Sequence, residues 1–109
     1  MAIKRIWHGW TTSENAEAYW TVLRETVIPG IESKQIPGYQ GFDVFRREHA
    51  SEVEFVTIIT FDSLDSVIAF QGNDYERAYV PDVAQEVLCR WDLACAHYEV
   101  LSERAGPNG

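Results

Sequence analysis

The stretch Val53-Glu54-Phe55-Val56-Thr57-Ile58-Ile59-Thr60-Phe61, followed by Asp62-Ser63-Leu64-Asp65, decides the fold. Odd positions Val53, Phe55, Thr57, Ile59 and Phe61 form one face of a strand. Even positions Val56, Ile58 and Thr60 form the other, with Glu54 at its solvent end. A half-exposed strand alternates apolar and polar residues. This one is apolar on both sides, so both faces of its sheet are expected to be covered. A chain of 109 residues carries enough helix for one face only. The other face is expected to meet a second copy of the chain.

Working outward, Ile3 to Trp10 reads as a strand with the same property: Ile3 and Trp7 point one way, Ile6, His8 and Trp10 the other. Thr11-Thr12-Ser13-Glu14 supplies hydroxyls and a first-turn acid for a helix start. Ala16, Tyr19, Trp20, Leu23 and Val27 then fall on one helical face. Pro29-Gly30 is expected to end or kink that helix, with a short continuation to Ser33. Ile36-Pro37-Gly38-Tyr39 turns into a second strand, Gln40 to Arg47, and a polar hairpin loop leads back to Val53. Asp62 or Ser63 caps a helix with Leu64, Val67 and Ile68 on its apolar face, which Gly72-Asn73-Asp74 breaks. Val80, Val83, Ala84, Val87 and Leu88 predict another helix with Pro81 in its first turn. Trp91 to Leu101 predicts the last strand.

The order β-α-β-β-α-α-β predicts an α+β fold: a ferredoxin-like split βαβ sandwich with helices on one face of an antiparallel sheet. Strands one and three are central in such a sheet, and they are the two that are apolar on both sides. One domain over residues 1–101 and a loose polar tail over 102–109 are expected.

Composition excludes several functions. The formal net charge of -8 and the scatter of nine Lys and Arg argue against nucleic acid, whose phosphates are bound by clustered cations. No apolar run approaches the ~20 residues of a membrane helix, and the start lacks an apolar signal core. Cys89 and Cys95 have neither metal nor redox spacing, which fits free, buried thiols in a cytoplasmic protein. No phosphate loop, dinucleotide fingerprint, zinc spacing or serine-nucleophile motif occurs, so no cofactor or metal is expected.

Several segments together resemble the antibiotic biosynthesis monooxygenase domain family of the dimeric α+β barrel superfamily. They are Ile6-Trp7-His8-Gly9-Trp10-Thr11-Thr12, Ile36-Pro37-Gly38-Tyr39, Glu54 to Ile58 leading to Phe61-Asp62-Ser63, Tyr75-Glu76-Arg77-Ala78-Tyr79-Val80-Pro81, and His97-Tyr98-Glu99-Val100. The resemblance spans residues 3 to 101 and rests on order and spacing. It implies a homodimer whose two sheets close a barrel, with a cavity between sheet and helices in each subunit. Some members oxidise anthrones or quinols with molecular oxygen and neither metal nor flavin. Others degrade heme with an Asn in the first strand, a Trp near the second helix and a His ligand in the next. Near those places this chain has Trp7 or His8, Phe70 and Tyr79, so the resemblance disfavours heme degradation.

The candidate catalytic residues are His8 and His97, since a neutral imidazole can take a proton from a phenol or quinol. A strand histidine is more often a packed core or interface residue. Tyr75 and Tyr79, at i and i+4 if their segment is helical, are candidate substrate-binding residues with Trp10 and Phe70; ordinary packing is the commoner role of each. Arg46 is an exposed edge residue or a cavity residue, and His49 an exposed loop residue. The expected function is a monooxygenase-like protein binding a small aromatic or polyketide-like ligand. The alternatives are a non-catalytic binding or accessory module, and an isomerase or cyclase on the same barrel. Fold does not choose among them.

Overall fold

The computed structural model describes residues 1–107. Strand β1 (Ile3–Thr11) runs antiparallel to β3 (Val53–Phe61), from Ile3 opposite Phe61 to Thr11 opposite Val53. On its other side β3 pairs with β2 (Tyr39–Glu48), with a bulge between Tyr39 and Gly41. Two short strands, β4 (Arg90–Trp91) and β5 (Ala96–Glu99), pair with β1. The order β2-β3-β1-β4 is that of the expected ferredoxin-like sheet, with β1 and β3 central.

Strand parity divides the central pair into two surfaces. Odd residues Ile3, Trp7, Val53, Phe55, Ile59 and Phe61 are buried under the helices, together with Arg5, Thr11 and Thr57. Even residues Lys4, Ile6, His8, Trp10, Glu54, Val56, Ile58 and Thr60 are half-buried and turn away from the helices. One helical layer thus covers one side, as the length of the chain predicted.

The first helical stretch contains α1 (Ala16–Val22), a π-helical turn over Leu23–Val27, and α2 (Ile28–Ser33). Pro29 was expected to end or kink the helix, yet the chain stays helical through it. Proline lacks an N–H and its ring crowds the carbonyl four residues back. The wider turn just before it, in which the Ile28 N–H reaches the Leu23 carbonyl, accommodates that crowding. Buried residues recur at Tyr19, Leu23, Val27 and Ile31, every fourth position. In a regular α-helix each such step drifts by about 40° around the axis; the π turn takes up the drift.

Ser63 caps α3 (Leu64–Gln71), its hydroxyl accepting from the Ser66 N–H at 3.3 Å. Val67 and Phe70 carry the buried face, whereas Leu64, expected there, is exposed. Gly72, at φ 95°, ends the helix as expected, since only glycine enters that region without penalty. Residues 72–81 then run without helix, so Tyr75 and Tyr79 do not share a helical face as the i, i+4 reading supposed. The helix predicted from Val80 to Leu88 is only α4 (Asp82–Gln85), with Pro81 at its N-cap and not in its first turn. By Cys89 the backbone N–H already bonds to the Trp10 carbonyl, so the chain is joining the sheet. The single last strand expected from Trp91 to Leu101 is broken between β4 and β5. There the Asp92 carbonyl accepts from Trp7 Nε1 and the Cys95 side chain turns into the core. Residues 102–107 of the expected tail form neither helix nor strand; Asn108 and Gly109 lie outside the described residues. Among the described residues no helix is long and apolar enough to cross a membrane.

Candidate functional site

The odd face of the sheet and the helices enclose a cavity of about 40 Å³. Arg5 and Trp7 of β1 form its floor, Leu23 and Val27 of the π turn one wall, and Phe70 and Tyr79 another. The cavity lies between sheet and helices, where the resemblance implied one, beside the Phe70–Tyr79 segment. Phe70 and Tyr79 meet edge to face with centroids 6.1 Å apart. Phe70 is buried, while Tyr79 is 45% exposed and stands at the mouth.

Arg5 is the unexpected member. It is 2% exposed on a face that is otherwise mostly apolar. Nη1 donates to the Tyr75 carbonyl at 2.5 Å and lies 2.9 Å from His97 Nε2; Nη2 donates to the Arg77 carbonyl at 2.9 Å. These bonds tie the irregular segment 72–81 to the central strand. Among the described residues no carboxylate pairs with Arg5. Burial lowers its pKa, and the neighbouring Cys95 thiol works the other way. A guanidinium nevertheless keeps its charge in proteins.

His97 stands behind Arg5, its ring edge to face with Tyr75 at 5.3 Å. Burial first, and the Arg5 charge second, lower its pKa. A guanidinium only donates, so Nε2 accepts and the neutral ring carries its proton on Nδ1. The accepting nitrogen is thereby engaged by Arg5. His97 reaches the cavity only through that residue. Cys95 is buried with its thiol pKa raised by burial, and burial likewise raises that of the Tyr19 phenol.

The remaining candidates lie elsewhere. His8 and Trp10 are even-numbered residues of β1 and occupy the opposite surface of the sheet. His8 Nδ1 is 2.8 Å from Glu54 Oε2, and His49 Nε2 is 2.8 Å from Glu54 Oε1. These bonds, from His49 first and His8 second, hold the Glu54 carboxyl below its usual range. His8 stacks on Trp10 at 6.1 Å, and the Arg90 guanidinium covers Trp10 at 3.9 Å. The candidates His8 and Trp10 therefore do not share a cavity with the candidates Phe70, Tyr75 and Tyr79. Phe70 and Tyr79 line it, Tyr75 and His97 back Arg5, and the sheet separates His8 and Trp10 from all four. Arg46 lies outside it too. It pairs with Glu17 at 2.7 Å across an open recess of about 250 Å³ beside β2, lined also by Trp20, Val44 and Phe55.

Sequence reasoning missed Arg5, counting it only among the nine scattered Lys and Arg. The available signal was parity: Arg5 shares its face with Ile3 and Trp7, so a charge was bound to point into the core. Among the described residues no group of three or more His, Cys, Asp or Glu side chains is placed to hold a metal ion.

No family model and no curated protein matches the chain. Solved structures do. A Bacillus cereus protein assigned as an antibiotic biosynthesis monooxygenase superposes with a TM-score of 0.65 at 14% identity, over 97% of each chain. A Nitrosomonas europaea protein with the same assignment gives 0.63 at 14% identity, over 92% of this chain and 90% of that one. SnoaB, a cofactor-independent oxygenase from Streptomyces nogalater, gives 0.51 at 12% identity, over 97% of each. Likeness at such identities is one of architecture. The chain shares the fold of these structures.

Proposed function

We propose that the chain binds a small aromatic or polyketide-like compound in the cavity between sheet and helices, and oxidises it with molecular oxygen without a cofactor. The observation that carries this reading is the aromatic cavity itself: an apolar chamber walled by Trp7, Phe70 and Tyr79 with one buried cation. Apolar walls with few convergent polar groups are the usual make-up of a small-molecule site. Its 40 Å³ is below the roughly 150 Å³ that holds a benzene ring. Ligand uptake on this reading requires a wall to move. Tyr79 is the candidate, because it is half exposed and lies in a segment without helical hydrogen bonds. The two cysteines are free, in keeping with a cytoplasmic setting.

The protein would act as a homodimer. Ile6 and Ile58 face each other on the open side of the sheet, next to Val56 and the 54%-exposed Phe45. Such a patch favours association.

A second reading, a binding or accessory module without turnover, is favoured by one observation. No imidazole with a free accepting nitrogen faces the cavity: His97 is engaged by Arg5 and His8 is on the other surface. Oxygen uptake separates the two. An anthrone or quinol is supplied to the protein in an oxygen-electrode cell. Uptake that scales with protein and falls in Phe70→Ala supports oxidation. Saturable binding with uptake no faster than in buffer leaves the binding module.

A further inference from the structure

We propose that Arg5 makes the inner cavity a site for a singly charged oxyanion on an apolar body, an ionised phenol or enol; only the apolar body rests on the function proposed above.

The first observation is a charge without a counter-charge. Burying an ion is unfavourable by several kcal/mol unless another ion or a set of dipoles replaces its water. Arg5 has two backbone carbonyls, a neutral imidazole and the neighbouring Cys95 thiol, which offset part of the lost hydration and supply no carboxylate. The chain has 17 acidic residues against nine basic ones, so acids are plentiful. Arg46, Arg90 and Lys4 each have one as a partner. Arg5 faces the cavity without one among the described residues.

The second observation is at the mouth. Lys34 Nζ lies 5.0 Å from the centre of the Phe70 ring and 4.7 Å from that of Tyr79. Arg5 Cζ lies 5.5 Å from the Phe70 ring. Phe70 therefore touches a cation on the cavity side and another on the solvent side. Lys34 makes no ion pair among the described residues. On a molecule of net charge -8, Lys34 beside the Phe70 and Tyr79 rings, with Arg5 on the cavity floor, attracts an anion that the rest of the surface repels.

The third observation sets the charge of the ligand. The cavity holds one cation, and most of its other walls are apolar: Leu23, Val27, Ile59, Phe70 and Val80 among them. A phosphate dianion would leave a negative charge uncompensated there, whereas a lone phenolate or enolate oxygen would not. An opposite charge at close range lowers a bound phenol's pKa, against the burial that raises those of Cys95 and Tyr19 in the same walls. The phenol O–H bond breaks, its electron pair stays on oxygen beside Arg5, and the proton passes to solvent. No base inside the cavity is required, in accord with the placement of His8 and His97. His97 is a positioning residue that holds the guanidinium.

The test uses the whole protein and three probes: 4-nitrophenol, whose anion is coloured, 4-nitroanisole, which has the same body and cannot ionise, and formate, small enough for the cavity as it stands. Visible absorbance across pH reads the ionisation of bound nitrophenol; thermal shift reads saturable binding of all three. The proposal expects the bound phenol to ionise at least one unit below its value in water. Nitroanisole should bind at least tenfold more weakly at neutral pH. The shift should disappear in Arg5→Met and survive, reduced, in Arg5→Lys. Because Arg5 also tethers residues 72–81, circular dichroism must show both variants folded. If Arg5→Met unfolds, the Arg5→Lys and Lys34→Glu variants decide, and Lys34→Glu should weaken nitrophenol more than nitroanisole. Equal binding of phenol and anisole at every pH overturns the anion site and leaves an aromatic pocket. Binding of formate alone, dependent on Arg5, supports the anion site and overturns the aromatic ligand. Binding of none of the three overturns both.

Discussion

Replacing Gly9 by alanine should unsettle the cavity floor from a position that does not itself line it. Gly9 is buried on the odd face of β1, two residues from Trp7, whose indole lies across it. A Cβ at Gly9 would overlap Cη2 of that ring, approach Cζ3 at 2.9 Å and meet Leu88 Cδ2 at 3.1 Å. The φ of Gly9 is not positive, so alanine meets no backbone strain and the whole cost is steric. Overpacking a core costs about 1–3 kcal/mol. The indole cannot yield without loosening the bond from Nε1 to the Asp92 carbonyl, 2.8 Å long; losing it adds about 1 kcal/mol. The sum, about 2–4 kcal/mol, should lower the urea midpoint by about 1–2 M for a protein of this size. Tryptophan fluorescence follows the transition. Gly30→Ala is the comparison: nothing lies within 4 Å of the added Cβ, and a helical glycine replaced by alanine gains about 0.5–1 kcal/mol. The two variants should move in opposite directions. A Gly9→Ala protein with the wild-type midpoint would show that Trp7 does not rest on Gly9.

Three further outcomes are expected. Ile58→Glu places a charge at the centre of the open sheet face and should yield a monomer in sedimentation equilibrium; a monomeric wild-type protein across the micromolar range would remove the dimer instead. The folded-state pKa of His97 is depressed. Below the unfolded value of about 6.5 the unfolded chain takes up a proton that the folded one refuses. Stability should fall as pH drops from about 6.5 to 5, and His97→Gln should flatten that slope in chemical denaturation, before the carboxylates titrate. Ser63→Ala removes the cap of α3 and should cost about 1 kcal/mol in the same assay; no change would mean that Asp62 and Ser66, 2.6 Å apart, hold the turn unaided.

The sheet was legible because a strand's side-chain period is two and cannot drift. Once Phe55, Ile59 and Phe61 were placed on one face and Val56 and Ile58 on the other, the central position of β3 followed. Helix lengths were less so. The π turn left a trace in the four-residue spacing of Tyr19, Leu23, Val27 and Ile31, but Pro29 reads locally as a breaker. The Val80–Leu88 stripe fits a helix by periodicity, and only the pairing of Cys89 with Trp10 cuts it short, a contact across 79 residues of sequence. The cavity was located through Phe70 and Tyr79. His8 and His97 were candidates by residue chemistry, and parity put His8 outside the cavity and Arg5 inside. The tertiary partners of Arg5, on Tyr75, Arg77 and His97, leave no mark in any one segment.

The gap between β4 and β5 bears on how the folded protein stays apart from its neighbours. A sheet edge with a long run of free backbone groups recruits foreign strands and seeds aggregation. Here that edge offers two residues at Arg90–Trp91 and four at Ala96–Glu99. Between them the backbone bends away so that Asp92 can serve Trp7 and Cys95 can enter the core. The opposite edge, β2, ends in Arg46, Arg47 and Glu48. An incoming strand would find one border too short to zip along and the other ending in charge. The same kink that completes the cavity floor thus leaves the β4–β5 edge without a run long enough for a foreign strand to pair with.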